Sequence, residues 1–96
     1  MKFGLDEETL NIIKIILDEN IQTEKRVIFG SRATGRYKKN SDVDICLYGD
    51  ISFRDISFLK GEFAESDCIY KIDLVHYENL ENRKFKIDID EEGIEF

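Results

Sequence analysis

The 96-residue sequence predicts an α/β (α+β) fold, a small mixed β-sheet with flanking helices. Three observations carry that reading. Apolar runs of strand length recur at "RVIF", "VDICLY" and "YKIDLVHY". Between and around them lie stretches with apolar residues at helical spacing, two of them opened by a capping residue. A 42% apolar content with seven Phe and four Tyr is enough for a core, and the length fits one domain spanning residues 1–96.

In chain order, Asp6 caps a first helix whose Leu10, Ile13, Leu17 and Ile21 recur on one face, with Ile12 and Ile16 widening the stripe. "RVIF" is a short strand running into Gly30. In "VDICLY", Val43, Ile45 and Leu47 face one way and Asp44, Cys46 and Tyr48 the other, because side chains alternate along a strand. Gly49-Asp50 ends it. Ser52 and Asp55 have the spacing of a capping box, opening a helix through Phe53, Ile56, Leu59 and Phe63. "YKIDLVHY" is the third strand. The segment "FKIDID" alternates like a strand, yet Phe85 and Ile89 are four apart and Gly93 stands where a helix ends. A helix over about 82–92 followed by an edge strand at Ile94 fits best. The expected order is α-β-(loop/helix)-β-α-β-α-β.

The net charge of −7 argues against general nucleic-acid binding. No apolar run reaches the roughly 18 residues of a membrane span, and the acidic start is unlike a signal peptide. Cys46 and Cys68 are too few for a disulfide framework, so the expectation is a cytoplasmic protein with two buried thiols. Charge is unevenly placed, however. Six of the fourteen basic residues (Lys25, Arg26, Arg32, Arg36, Lys38, Lys39) fall in a stretch without one acid. A basic loop on an acidic chain suits a small polyanion such as a nucleoside triphosphate.

That loop leads into Asp42 and Asp44. Two residues apart at a strand mouth, they point to one face with Cα atoms roughly 7 Å apart. Like charges so placed repel unless a cation joins them, and Mg²⁺ uses one or two carboxylates plus substrate phosphates. Asp73, within "KIDLV", is a charge among residues that otherwise suit a core. If its strand neighbours "VDICLY", the three acids form one cluster suited to two-metal phosphoryl transfer. Competing motifs fail on their letters. Gly30 and Gly35 have P-loop spacing, but Arg36-Tyr37 stands where Lys-Ser/Thr is required. An EF-hand loop from Asp42 would meet Phe53 at its twelfth position, and one from Asp88 outruns the sequence given.

Gly30-Ser31, ten residues, then Asp42-x-Asp44 resembles the signature of the DNA polymerase β-like nucleotidyltransferase superfamily, and "GSRATG" with "SDVDI" is most similar to the minimal nucleotidyltransferases. The resemblance implies a polymerase β palm-like fold. It also implies two Mg²⁺ ions on Asp42, Asp44 and Asp73, ATP as substrate, and Gly30 and Ser31 holding its phosphates. Arg32 and Arg36 would steady the phosphates or a partner. The implied partner is a HEPN-domain toxin for which such proteins act as antitoxins, and the implied reaction is transfer of AMP to a hydroxyl of it, a tyrosine by expectation. A non-catalytic binding module and a small-molecule (antibiotic) nucleotidyltransferase are the alternatives. The larger members carry further domains that clamp the nucleotide and present the acceptor, so a second protein or copy is expected to complete this site. His76, Tyr37 and Tyr48 are read as structural.

Overall fold

A computed structural model describes residues 2–96. Its first helix, α1 (Glu7–Asn20), starts where Asp6 Oδ1 accepts from the Thr9 N–H at 2.8 Å. This satisfies one of the N–H groups that a helix start leaves without an internal partner. Leu10, Ile13 and Leu17 form its buried face. Ile21 lies just past the helix, its N–H closing the last turn on the Leu17 carbonyl at 3.1 Å.

Strand β1 (Lys25–Phe29) runs into a four-residue helix, α2 (Ser31–Thr34), bracketed by Gly30 and Gly35. Strand β2 (Val43–Tyr48) returns antiparallel to β1, pairing Phe29 with Asp44. Helix α3 (Phe53–Glu65) then crosses over, capped by Ser52, whose Oγ accepts from the Asp55 N–H at 3.0 Å. A crossover of this length lets β3 (Ile72–His76) lie parallel to β2. After a 3₁₀ turn at Tyr77–Asn79, α4 (Arg83–Glu92) begins at an Asn82 cap, and β4 (Ile94–Glu95) pairs antiparallel with β1. The sheet order is β3-β2-β1-β4. Helix for residues 83–92 and an edge strand at Ile94 resolve the ambiguous "FKIDID" segment as expected.

Alternation divides the sheet into two faces. Ile28, Val43, Ile45, Leu47 and Leu74 pack in the main core with Leu10, Ile13 and Leu17 of α1 and Ile56, Leu59 and Phe63 of α3. Each such side chain contributes about 1.5–3 kcal/mol on burial. The opposite face is thinner: Val27, Phe29 and Cys46 are covered by Ile89, the one buried residue of α4. Asp44 and Asp73 belong to that face, where α4 stops short of closing over them.

Phe53, the first residue of α3, is 83% exposed, because it precedes the turn that contacts the sheet. Two expectations need correction. Cys68 is half-buried, in the turn between α3 and β3, whereas Cys46 is fully buried. The third strand begins at Ile72, since the preceding Tyr70 packs beside Arg32 instead of continuing the ladder.

Candidate active site

Parallel pairing sets Asp44 directly beside Asp73. Their carboxyl groups come within hydrogen-bonding reach, and Asp42, just before β2, adds its charge. Partial burial, then repulsion from Asp73 and Asp42, pushes the Asp44 carboxyl up to about 6; Lys71 opposes this more weakly. Lys71 Nζ also approaches Asp73 at 3.6 Å on the solvent side. Crowded carboxylates of this kind favour a bound cation, and their oxygens are the donors Mg²⁺ prefers. Among the described residues no group of three or more His, Cys, Asp and Glu side chains is placed to hold a metal ion, so the close acidic contact is the Asp44–Asp73 pair.

Gly30 faces this pair. Its φ of 72° suits glycine, and a Cβ added there would stand 2.6 Å from Asp44 Oδ2. The backbone thus passes against the carboxylate, which a side chain at Gly30 would displace. Ser31 opens α2, so the first N–H groups of that turn point forward from its start. Gly30, Asp44 and Asp73 line one cavity of about 340 Å³, whose apolar wall is Phe29, Val75 and Phe85, with Asp88 beside them. Phe85 and Asp88 were not singled out from sequence as site residues; the Phe85-to-Ile89 spacing of α4 was the available signal. A larger cavity of about 490 Å³, between Phe3, Tyr37 and Phe96, shares no residue with the acidic cluster.

The two arginines lie elsewhere. Arg32, expected to hold phosphates, is 2% exposed, and each of its three guanidinium nitrogens donates to a backbone carbonyl. Arg32 is not among the residues lining the cavity of Gly30, Asp44 and Asp73. Arg36 lies on the surface and pairs with Glu92 at 3.2 Å, tying the loop to the end of α4. His76 is opposite Leu47 and thus on the other face from Asp73. Its Nε2 contacts the Gly49 carbonyl at 2.5 Å, while Glu78 accepts from the Gly49 N–H at 3.0 Å. Tyr48 stacks on Tyr77 with centroids 4.5 Å apart, and Tyr37 packs on Arg32.

A sequence profile described as Polymerase beta, Nucleotidyltransferase matches residues 11–96. The chain belongs to that family. This nucleotidyltransferase is 33% identical over 78 residues to the probable protein adenylyltransferase MntA of Haemophilus influenzae, across 79% of this chain and 68% of that protein. Its fold is similar to that of a toxin–antitoxin crystal structure with AMP-PNP, at a TM-score of 0.73, 24% identity and coverage of 88% of this chain and 69% of that one. A mutant of the toxin–antitoxin MntA-HpeT gives a TM-score of 0.73 at 22% identity, covering 95% of this chain and 72% of the other. At those identities the likeness is one of fold. Among the described residues, no helix of this nucleotidyltransferase is long and apolar enough to cross a membrane.

Proposed function

We propose that this nucleotidyltransferase moves AMP from ATP to a hydroxyl of a partner protein, a tyrosine of a HEPN-domain toxin, and so acts as the toxin's antitoxin. The observation that carries the reading is the Asp44–Asp73 pair set opposite Gly30 across one cavity. The 33% identity to a probable protein adenylyltransferase supports a protein acceptor.

In this reading Gly30 and Ser31 receive the β- and γ-phosphates, because glycine lets phosphate approach the backbone. Asp42, Asp44 and Asp73 would hold two Mg²⁺ ions, which when bound neutralise the carboxylates and draw charge from the phosphates. Asp73 takes the acceptor's hydroxyl proton. The oxygen attacks the α-phosphorus, the bond to the bridging oxygen of pyrophosphate breaks, and pyrophosphate leaves toward Gly30. Positioning supplies most of the acceleration in such transfers, so a docked protein acceptor is favoured over a freely diffusing hydroxyl.

The test is incubation with α-labelled ATP and Mg²⁺, with and without the HEPN protein. Label should appear on that protein and be lost with Asp44→Asn and Asp73→Asn. Inhibition of the toxin without label would make the chain a binding module. Label on an antibiotic alone would make it a small-molecule enzyme.

A further inference from the structure

We propose that Arg32 is a positioning residue that sets Asp42 and the Gly30-Ser31 turn against each other through the Ser41 carbonyl; this rests on the nucleotidyl-transfer reading above. Arg32 Nε and Nη2 both donate to the Ser41 oxygen, at 3.1 and 2.9 Å, and Nη1 donates to the Phe3 oxygen at 2.9 Å. The Tyr70 ring lies 4.5 Å from the guanidinium and the Tyr37 ring 5.1 Å. Among the described residues no carboxylate pairs with it. A buried cation without a counter-ion is a costly way to fill space. Carbonyl dipoles and aromatic faces offset that cost, and they also fix direction.

What they fix is the site. Two N–H groups on one carbonyl oxygen orient the peptide plane joining Ser41 to Asp42. Arg32 follows Ser31 in α2, so a single side chain spaces the turn from the carboxylate. Tyr70 brings in the third part: the next residue, Lys71, accepts the Val43 N–H at 2.9 Å, and Asp73 follows two positions on. Turn, Asp42 and the approach to Asp73 therefore meet at one guanidinium. A lysine ammonium is a point charge without the planar fork and cannot reproduce the clamp.

The experiment compares wild type, Arg32→Lys and a core variant, Leu59→Ala, chosen because Leu59 is buried within α3 in the main core. Nucleotide affinity without divalent ion, Mn²⁺ affinity with ATP present by electron paramagnetic resonance, and kcat and KM are measured. Arg32→Lys should hold metal-free nucleotide affinity within about twofold while weakening Mn²⁺ binding and kcat by about 10–100-fold, the usual loss for an outer support of a metal ligand. Leu59→Ala should lower the melting temperature yet bind Mn²⁺ like wild type. A fall in metal-free nucleotide affinity as large as the loss of Mn²⁺ affinity would make Arg32 a phosphate ligand or a support of the phosphate turn alone, not a device that sets Asp42 against it. Unchanged Mn²⁺ affinity would make it an ordinary core residue. Either overturns the proposal. If Arg32→Lys does not fold, Tyr70→Leu, which removes one aromatic face and keeps the carbonyl bonds, should show a smaller loss of Mn²⁺ affinity; no loss overturns the proposal equally. The Mn²⁺ titration needs no acceptor, so absence of transfer by wild type would count against the functional reading and not against this one.

Discussion

Replacing Asp44 with Asn should stabilise the metal-free protein, and only above a definite pH. In the native state the Asp44 carboxyl holds its proton up to about 6 against an ordinary 3.8. Below about pH 4 the group is protonated in native and unfolded chains alike and contributes nothing. As pH rises from there to about 6 the unfolded chain releases its proton first, so stability falls; above 6 the whole penalty is present. A rise from 3.8 to about 6 corresponds to about 3 kcal/mol at 1.36 kcal/mol per pH unit. Asp44 is only half-buried, so solvent screening reduces this to about 1–1.5 kcal/mol. Asn keeps the shape and removes the charge. The variant should therefore melt about 5–10 °C above wild type at pH 8 in EDTA, and level with it near pH 3.5. Added Mg²⁺ should raise the wild-type melting point and leave the variant nearly unmoved. Equal melting points at pH 8, or a gap that persists at pH 3.5, would refute the electrostatic account.

Further outcomes follow from the same geometry. Gly30→Val forces a branched side chain into φ 72° and onto Asp44 Oδ2, so it should cost about 1–3 kcal/mol of stability and abolish ATP binding by calorimetry with Mg²⁺. Ser31→Ala removes one donor and should weaken ATP by about tenfold at most, about 1.4 kcal/mol in the same titration. Cys46 is wholly buried, and that burial, with Glu78 and Asp90 nearby, pushes its thiol up to about 12, so alkylation in native buffer should reach Cys68 first and Cys46 only on unfolding, as peptide mass spectrometry would show. Asn82→Ala removes the acceptor of the Phe85 N–H and should cost α4 about 0.5–2 kcal/mol by urea unfolding.

The elements were legible wherever local chemistry settles them. Asp6 and Ser52 each accept the expected N–H three residues on, and "VDICLY" became a strand with the faces its alternation implied. The pairing of Asp44 with Asp73 was legible up to one condition, that their strands be neighbours, and the parallel pairing meets it. Arg32 was opaque because its burial is created by Phe3, Ser41 and Tyr70, segments that meet only in the folded chain. The four-residue α2 is too short to leave a periodic signal. The exposure of Phe53 was not legible, because helical spacing tells which residues share a face, but not where along the helix contact with the sheet begins.

The pairing of β2 with β3 also makes the core a proofreader of the chemistry. Asp73 alternates with Ile72 and Leu74, and Leu74 lies in the main core. A slip of one residue between the strands would turn Asp73 into that core and put an apolar side chain beside Asp44. The desolvation of a charge without a partner would then oppose the slipped form by several kcal/mol. Misaligned copies are thus rejected by folding itself before they could persist as intact but inactive protein.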